Sequence, residues 1–147
     1  GDAAFHKIGT IVYSVKDYNT DFRLAIKTQY GTRLYEAKNN PKATYGKDIL
    51  DIQGKVDYIT LNSEQDAQTV MLTINNEQDV NSIVDNVLNS PIDIEASRLR
   101  DERFFMEFHL SDGTSVTRCY WIDDSLLEPN IMLNDDVNKV IDKHLME

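Results

Sequence analysis

The chain has 147 residues, 41% of them hydrophobic and 27% charged, a composition typical of one folded globular domain rather than a disordered chain. Its 25 acidic and 15 basic side chains give a net charge of −10, which argues against binding to nucleic acid or to an anionic membrane surface. No apolar run approaches the roughly 20 residues of a membrane span, and Cys119 is the single cysteine, which excludes an intrachain disulfide.

Residues 21–50 carry two competing patterns. Their hydrophobic side chains alternate as in a strand, but Phe22, Ile26 and Tyr30 also lie four residues apart, as on one side of a helix. Gly31 argues against one long helix through this region, because glycine weakens helix interiors. The sequence therefore leaves the structure of this segment open.

Three other segments predict strands. GTIVYSVKDY, KVDYITL and DAQTVMLTI, at residues 9–18, 55–61 and 66–74, contain β-branched and aromatic residues that alternate with polar ones. The polar stretch NSEQD lies between the second and third segments. These two segments are therefore expected to form an antiparallel pair.

Two amphipathic helices are predicted, over residues 76–90 and 134–146. Each opens on an asparagine that can cap the helix, Asn76 or Asn134, and each has acidic residues in its first turn, where they suit the helix dipole. The apolar positions are Val80, Ile83, Val84, Val87 and Leu88 in the first helix, and Val137, Val140, Ile141, His144 and Leu145 in the second.

The segment FFMEFHLSDGTSVTRCYWI, residues 104–122, predicts a β-hairpin. Its Asp112-Gly113 pair is favoured at the centre of a two-residue type I′ turn, and that turn fixes the register. On one face this register pairs Phe104 with Trp121, Met106 with Cys119, Phe108 with Thr117 and Leu110 with Ser115. On the other face it pairs Phe105 with Tyr120, Glu107 with Arg118 and His109 with Val116. We expect Cys119 to be a buried structural residue, and the charged pair to face water.

The sequence contains no pattern that indicates a cofactor or a metal ion. His6, His109 and His144 are far apart and lack metal-binding spacing, and the glycines form neither a dinucleotide-binding nor a phosphate-binding loop. The acidic pairs at residues 123–124 and 135–136 do not match the ligand spacing of a calcium loop.

The candidate functional residues are therefore few. RLRDER, residues 98–103, mixes basic and acidic side chains, which is typical of a solvated connection. No catalytic residue is predicted, and the candidate binding residues are those of the hairpin, Glu107, His109, Arg118 and Tyr120.

The order of these elements resembles a known type of unit. VMLTINNEQDVNSIVDNVL followed by MEFHLSDGTSVTRCYWI is similar to the poorly characterised repeats in extracytoplasmic parts of Gram-positive ABC-transporter permeases and related lipoprotein-like proteins. In that pattern a strand leads into a helix, and a DG-x-x-x-R-x-Y hairpin follows, matched here by Asp112, Gly113, Arg118 and Tyr120. The resemblance covers residues 56–145 and implies a position outside the membrane, beside a transporter or sensor, without catalytic residues.

The expected fold is a single α+β domain over residues 1–147, and a degenerate internal duplication stays open. An antiparallel sheet of about five or six strands would be covered on one face by the helices at 76–90 and 134–146. The expected function is a non-catalytic binding module, not an enzyme, in the extracytoplasmic part of a membrane-associated protein. Its partner would be another protein or the rest of a larger chain, without nucleic acid and without insertion of this segment into the membrane.

Two alternative functions are kept beside that expectation, and a cytoplasmic location is kept with them. One is a small-molecule-binding or catalytic cavity lined by Tyr58, Phe105 and Tyr120. The other is an acidic stand-alone inhibitor or immunity protein that caps a basic active site.

Overall fold

The computed structural model describes residues 6–96 and 102–146 and shows an α+β fold with two antiparallel sheets and two helices. A three-stranded sheet, called the small sheet below, contains β1 (Val12–Ser14), β2 (Arg23–Thr28) and β3 (Gly31–Glu36). The remaining elements are β4 (Val56–Asn62), β5 (Val70–Ile74), α1 (Glu77–Asn89), β6 (Phe104–Leu110), β7 (Ser115–Trp121), β8 (Leu126–Leu127), β9 (Ile131–Met132) and α2 (Asp135–Leu145). Strands β4–β9 form a six-stranded sheet in the order β5-β4-β6-β7-β8-β9. The expected α+β fold is confirmed.

Both predicted helices are confirmed together with their caps. The Asn76 side chain accepts hydrogen bonds from the backbone N–H groups of Gln78 and Asp79, and the Asn134 side chain accepts one from Asp136. All five apolar positions of α1 are buried, whereas in α2 the burial is complete only at Val137 and Ile141.

The carboxylate of Asp79 connects the two helices. Its Oδ2 atom lies 2.7 Å from Lys143 Nζ and 2.8 Å from His144 Nε2, so the start of α1 is held against the end of α2. The contact with Lys143, followed by that with His144, lowers the pKa of Asp79 below its usual value. His144 therefore makes a polar contact rather than extending the apolar stripe.

The six-stranded sheet has two different faces. The helix face packs against α1 and α2 and contributes to the hydrophobic core Ile59, Leu61, Met106, Phe108, Val116 and Tyr120. The opposite face, called the open face below, presents mostly half-buried side chains from the three central strands. Its residues are Tyr58, Thr60 and Asn62 from β4, Phe105, Glu107 and His109 from β6, and Ser115, Thr117 and Cys119 from β7.

The predicted register of the β6–β7 hairpin is wrong by one residue. Leu110 N–H donates to the Thr114 carbonyl at 2.8 Å, and Gly113, with a φ of +83°, donates to the Leu110 carbonyl at 2.9 Å. The connection is therefore a three-residue loop, a turn followed by a glycine in the left-handed region, and not a two-residue type I′ turn. The Asp112 side chain accepts from Thr114 N–H at 2.9 Å and from Tyr18 O–H at 2.7 Å, which favours this loop.

The shift turns every side chain of β7 to the other face, because alternate residues of a strand point to opposite sides. Arg118 pairs with Met106 on the helix face, and Cys119 pairs with Phe105 on the open face, where it is half-buried. The predicted pairing of Glu107 with Arg118 and the expected burial of Cys119 beside Met106 are both wrong.

The region left open by the sequence, residues 21–50, contains strands rather than a helix. β2 and β3 form a hairpin, with Gly31 at the start of β3 in a backbone conformation of φ +118° that favours glycine. A short 3-10 turn follows at Gly46–Asp48. The sequence did not predict that β1–β3 would form a separate sheet.

Two buried arginines connect the small sheet to the unpaired edge of β7. Arg23 donates to Thr114 Oγ1 at 2.7 Å and reaches the Ser115 carbonyl at 3.5 Å. Arg118 donates to the carbonyls of Thr117 at 2.8 Å and of Ala37 at 3.2 Å. Because β8 pairs only with the last two residues of β7, these guanidinium groups take the place of a neighbouring strand.

Candidate functional site

The centre of the open face is the carboxylate of Glu107, in the middle of β6. Its Oε1 atom accepts from Ser115 Oγ at 2.5 Å, and its Oε2 atom accepts from Asn62 Nδ2 at 2.8 Å. The side chain keeps 22% of its surface exposed. Two neighbouring strands therefore hold a negative charge in a fixed position that a ligand can still reach.

An aromatic pair lies beside this carboxylate. Tyr58 and His109 are cross-strand partners, and their rings stack with centroids 4.1 Å apart and an angle of 8° between their planes. His109 Nε2 lies 3.0 Å from Thr60 Oγ1 and 3.8 Å from Glu107 Oε2. The site thus combines an acidic group with a flat, partly exposed ring surface.

Asn62 forms the buried base of the site. Its amide group donates both to the Ala67 carbonyl at 3.2 Å and to Glu107, and these two acceptors fix the orientation of the amide. The remaining atom, Asn62 Oδ1, is buried and has no hydrogen-bond partner among the residues that the structure describes.

The structure brings together only two of the four predicted binding residues. Glu107 and His109 share the open face, whereas Arg118 and Tyr120 lie on the helix face. The Tyr120 hydroxyl donates to Asn138 Oδ1, and burial raises the pKa of this hydroxyl well above its usual value.

The structure does not place Tyr58, Phe105 and Tyr120 on one face, as the alternative of a shared cavity expected. Tyr58 and Phe105 are on the open face, but Tyr120 is fully buried on the helix face. The three rings therefore cannot line one pocket.

Thr60, Asn62 and Ser115 were not predicted from the sequence as residues of the site. In the stretch YITLN the signal was present, because Tyr58, Thr60 and Asn62 alternate with the apolar Ile59 and Leu61. Thr60 and Asn62 are 4% and 2% exposed, so this polar side of β4 is enclosed by its neighbours.

A surface cleft of about 680 Å³ lies elsewhere, between the 3-10 turn, the start of β2 and the end of α1. Two of its three carboxylates, those of Asp48 and Asp51, have internal partners. Asp48 accepts from the N–H groups of Thr44 and Tyr45, and Asp51 accepts from Asn19 N–H and from Lys55 Nζ. These bonds lower the pKa of Asp48 and serve to fix the surrounding loops.

The acidic pair at residues 135–136 does not form a site in the described part of the chain. Asp135 and Asp136 lie in the first turn of α2, where Asp136 pairs with Lys139 at 2.8 Å. In residues 6–96 and 102–146, no three His, Cys, Asp or Glu side chains are grouped to hold a metal ion. Most of the segment 98–103 lies outside the described residues, but Arg103 places its guanidinium over the Phe105 ring, 5.9 Å from the centroid.

No protein-family model, curated protein or solved structure matches this chain. Neither helix in the described part of the chain is both long and apolar enough to cross a membrane. Function must therefore be inferred from the residues and their geometry.

Proposed function

We propose that the chain is a non-catalytic binding module whose open face receives a basic side chain of a protein partner. The observation that carries this proposal is the Glu107 carboxylate, held by Asn62 and Ser115 and still partly exposed, beside the Tyr58–His109 stack. A carboxylate next to an aromatic face suits a guanidinium or ammonium group, which gains a charge-assisted hydrogen bond and a cation–π contact together.

The existing contacts of the site support binding rather than catalysis. Glu107 accepts two hydrogen bonds from its own protein, and His109 Nε2 lies within hydrogen-bond distance of Thr60. Side chains held in this way form a rigid recognition surface. Arg103 over Phe105 shows that a guanidinium group fits the aromatic part of this face.

Residues 39–147, called the body below, carry a charge that also supports a basic partner. Residues 39–147 contain 21 acidic and 9 basic side chains, a net charge of −12. Such a charge accelerates encounter with a basic protein and disfavours acidic competitors. An inhibitor that caps a basic active site would be one form of this interaction.

The cellular setting forms a separate part of the proposal. Placement outside the cytoplasm, in or beside a membrane-associated transporter or sensor, is supported by the sequence resemblance alone. It adds the expectation that the partner is a neighbouring domain or a protein of the same membrane assembly.

Replacing Glu107 with glutamine is expected to weaken binding of a penta-arginine peptide about tenfold, because a charge-assisted hydrogen bond contributes roughly 1.5 to 3 kcal/mol. Peptide binding would be followed at physiological ionic strength through the backbone amide signals of the protein in NMR titrations. The shifts are expected to concentrate in β4, β6 and β7.

Asp142→Asn is the matched control, since it also removes one negative charge but lies on the exposed side of α2. It should change the peptide affinity by less than about twofold, as expected for a distant screened charge. Equal losses in both variants, or shifts spread over α1 and α2, would show that the peptide senses only the net charge.

A further inference from the structure

The net charge of −10 conceals two regions of opposite sign. Residues 6–38, which contain the small sheet, have six basic and three acidic side chains, a net charge of +3, whereas residues 39–147 carry −12. The three acidic residues lie toward the body. Glu36 contacts Arg118, and Asp17 and Asp21 lie in the connection between β1 and β2.

Three of these six basic residues, Lys7, Lys27 and Arg33, lie at the other end of the small sheet, around the β2–β3 turn, called the distal end below. A cleft of about 460 Å³ opens there, and its described lining includes Lys7, Lys27, Arg33 and His6 but no acidic residue. Lys7, Lys27 and Arg33 form no ion pair with a carboxylate of residues 6–96 or 102–146. The cleft is therefore suited to an anion.

Tyr30 lines this basic cleft, and two exposed isoleucines, Ile8 and Ile11, lie beside its residues Lys7 and Lys27. Ile8 is fully exposed, Tyr30 is 84% exposed and Ile11 is 65% exposed. Val12 of β1 pairs with Ile26 of β2 in antiparallel register, so the preceding residue Ile11 lies opposite Lys27. This combination of exposed apolar and basic side chains suits contact with a lipid interface.

We propose that the distal end of the small sheet binds peripherally to an anionic lipid surface. Lys7, Lys27 and Arg33 would contact phosphate headgroups, while Ile8, Ile11 and Tyr30 would enter the interfacial layer, where tyrosine rings and aliphatic side chains are both accommodated. This inference is independent of the basic-partner site on the open face.

The exposed isoleucines favour a membrane over a nucleic acid or free phosphate. Phosphate groups and bases offer lysine and arginine partners, and bases can stack on tyrosine, but neither provides a medium for aliphatic side chains. A lipid interface provides both, and each buried CH₂ group contributes favourably there.

The shape of the molecule keeps its acidic body away from such a surface. The small sheet contacts the body through Arg23 and Ala37 at one end of the β2–β3 hairpin, and the turn after Thr28 is at the other end. From Arg23 to Thr28 the strand β2 advances by five residue steps, which corresponds to about 16 Å between the two ends. This exceeds the Debye length of about 8 Å at physiological ionic strength, so the repulsion between body and membrane is largely screened.

The test is co-sedimentation of the full chain with vesicles of phosphatidylcholine alone and of an equimolar mixture of phosphatidylcholine and phosphatidylglycerol. The protein is expected to bind only the mixed vesicles. A Lys27→Glu/Arg33→Glu double variant should lose at least about twentyfold in affinity, since each basic side chain near an anionic surface contributes about fivefold. Lys139→Glu, a charge reversal on the exposed surface of α2, is the control and should bind nearly as the parent does.

A second variant, Ile8→Ser, separates the membrane from other anions. Weaker vesicle binding by Ile8→Ser with unchanged charge supports insertion at the lipid interface. Three results would overturn the proposal: no binding to the mixed vesicles, equal binding to both vesicle types, or binding of polyuridylate or inorganic phosphate that matches vesicle binding and is insensitive to Ile8→Ser. Circular dichroism melting of each variant establishes that it is folded.

Discussion

Arg118→Met is expected to destabilise the protein by about 3 kcal/mol, the lower part of the range for breaking a buried charged contact. Arg118 is 1% exposed, and its guanidinium donates to the Thr117 and Ala37 carbonyls and lies 3.7 Å from Glu36. Methionine fills a similar volume but leaves two carbonyls without their donor and a partly buried carboxylate without its ion-pair partner. Urea denaturation measures the loss.

The controls distinguish this role from a surface ion pair. Arg33→Met makes the same substitution at an exposed position of β3 and should alter the free energy of unfolding by less than about 0.5 kcal/mol. Adding Glu36→Gln to Arg118→Met should recover part of the loss, because the uncompensated charge is then removed. If Arg118→Met instead costs no more than about 1 kcal/mol, the side chain is at the surface, as the sequence-based register supposed.

Gly46→Ala is expected to cost about 3 kcal/mol, the upper end of the usual range for overpacking. A Cβ atom at this position would lie 1.9 Å from the Val87 carbonyl oxygen, so the 3-10 turn could no longer pack against α1. The added Cβ would meet the Val87 carbonyl group and the Leu88 Cα atom, which both belong to the backbone of α1 and cannot rotate away. Thermal unfolding followed by circular dichroism measures the effect.

Gly54→Ala is the comparison, since a Cβ there would meet no atom within 4 Å. Its φ of +66° makes alanine strained by about 1 to 2 kcal/mol, without a clash. A larger loss at position 46 than at position 54 supports the close contact. Equal losses would mean that α1 yields and that the turn is not tightly packed.

The two helices and strands β4 to β7 could be predicted because their signals are local, whereas the two-residue strands β8 and β9 were not predicted. Asn76 and Asn134 lie directly before their helices, and the apolar spacing of α1 repeats within thirteen residues. The hairpin itself was also predicted, from its alternating residues. Its register was not, because a side chain far away in sequence, Tyr18, contributes to the loop through Asp112.

The candidate site could be predicted only in part for the same reason. Glu107 and His109 were assigned correctly to the less buried side of β6, but the one-residue shift placed Arg118 beside them and Cys119 away from them. The burial of Arg118 depends on the small sheet, whose strands lay in the ambiguous region 21–50. The basic character of residues 6–38 was also not predicted, because the net charge of the whole chain combines it with the acidic residues 39–147.

The central structural claim is that β7 presents Cys119, and not Arg118, on the same face as Glu107 and His109. The proposed site depends on this register. Cys119 pairs with Phe105 at a position without direct backbone hydrogen bonds between the two residues, where Cα atoms are about 4.5 Å apart, a distance that a disulfide can bridge.

The most direct test is therefore oxidation of two variants, Phe105→Cys and Met106→Cys, followed by counting of free thiols in the monomer. Phe105→Cys is expected to form an intramolecular disulfide with Cys119, and Met106→Cys is not, because its side chain lies on the helix face. A disulfide in Met106→Cys but not in Phe105→Cys would restore the type I′ register and return Arg118 to the side of Glu107.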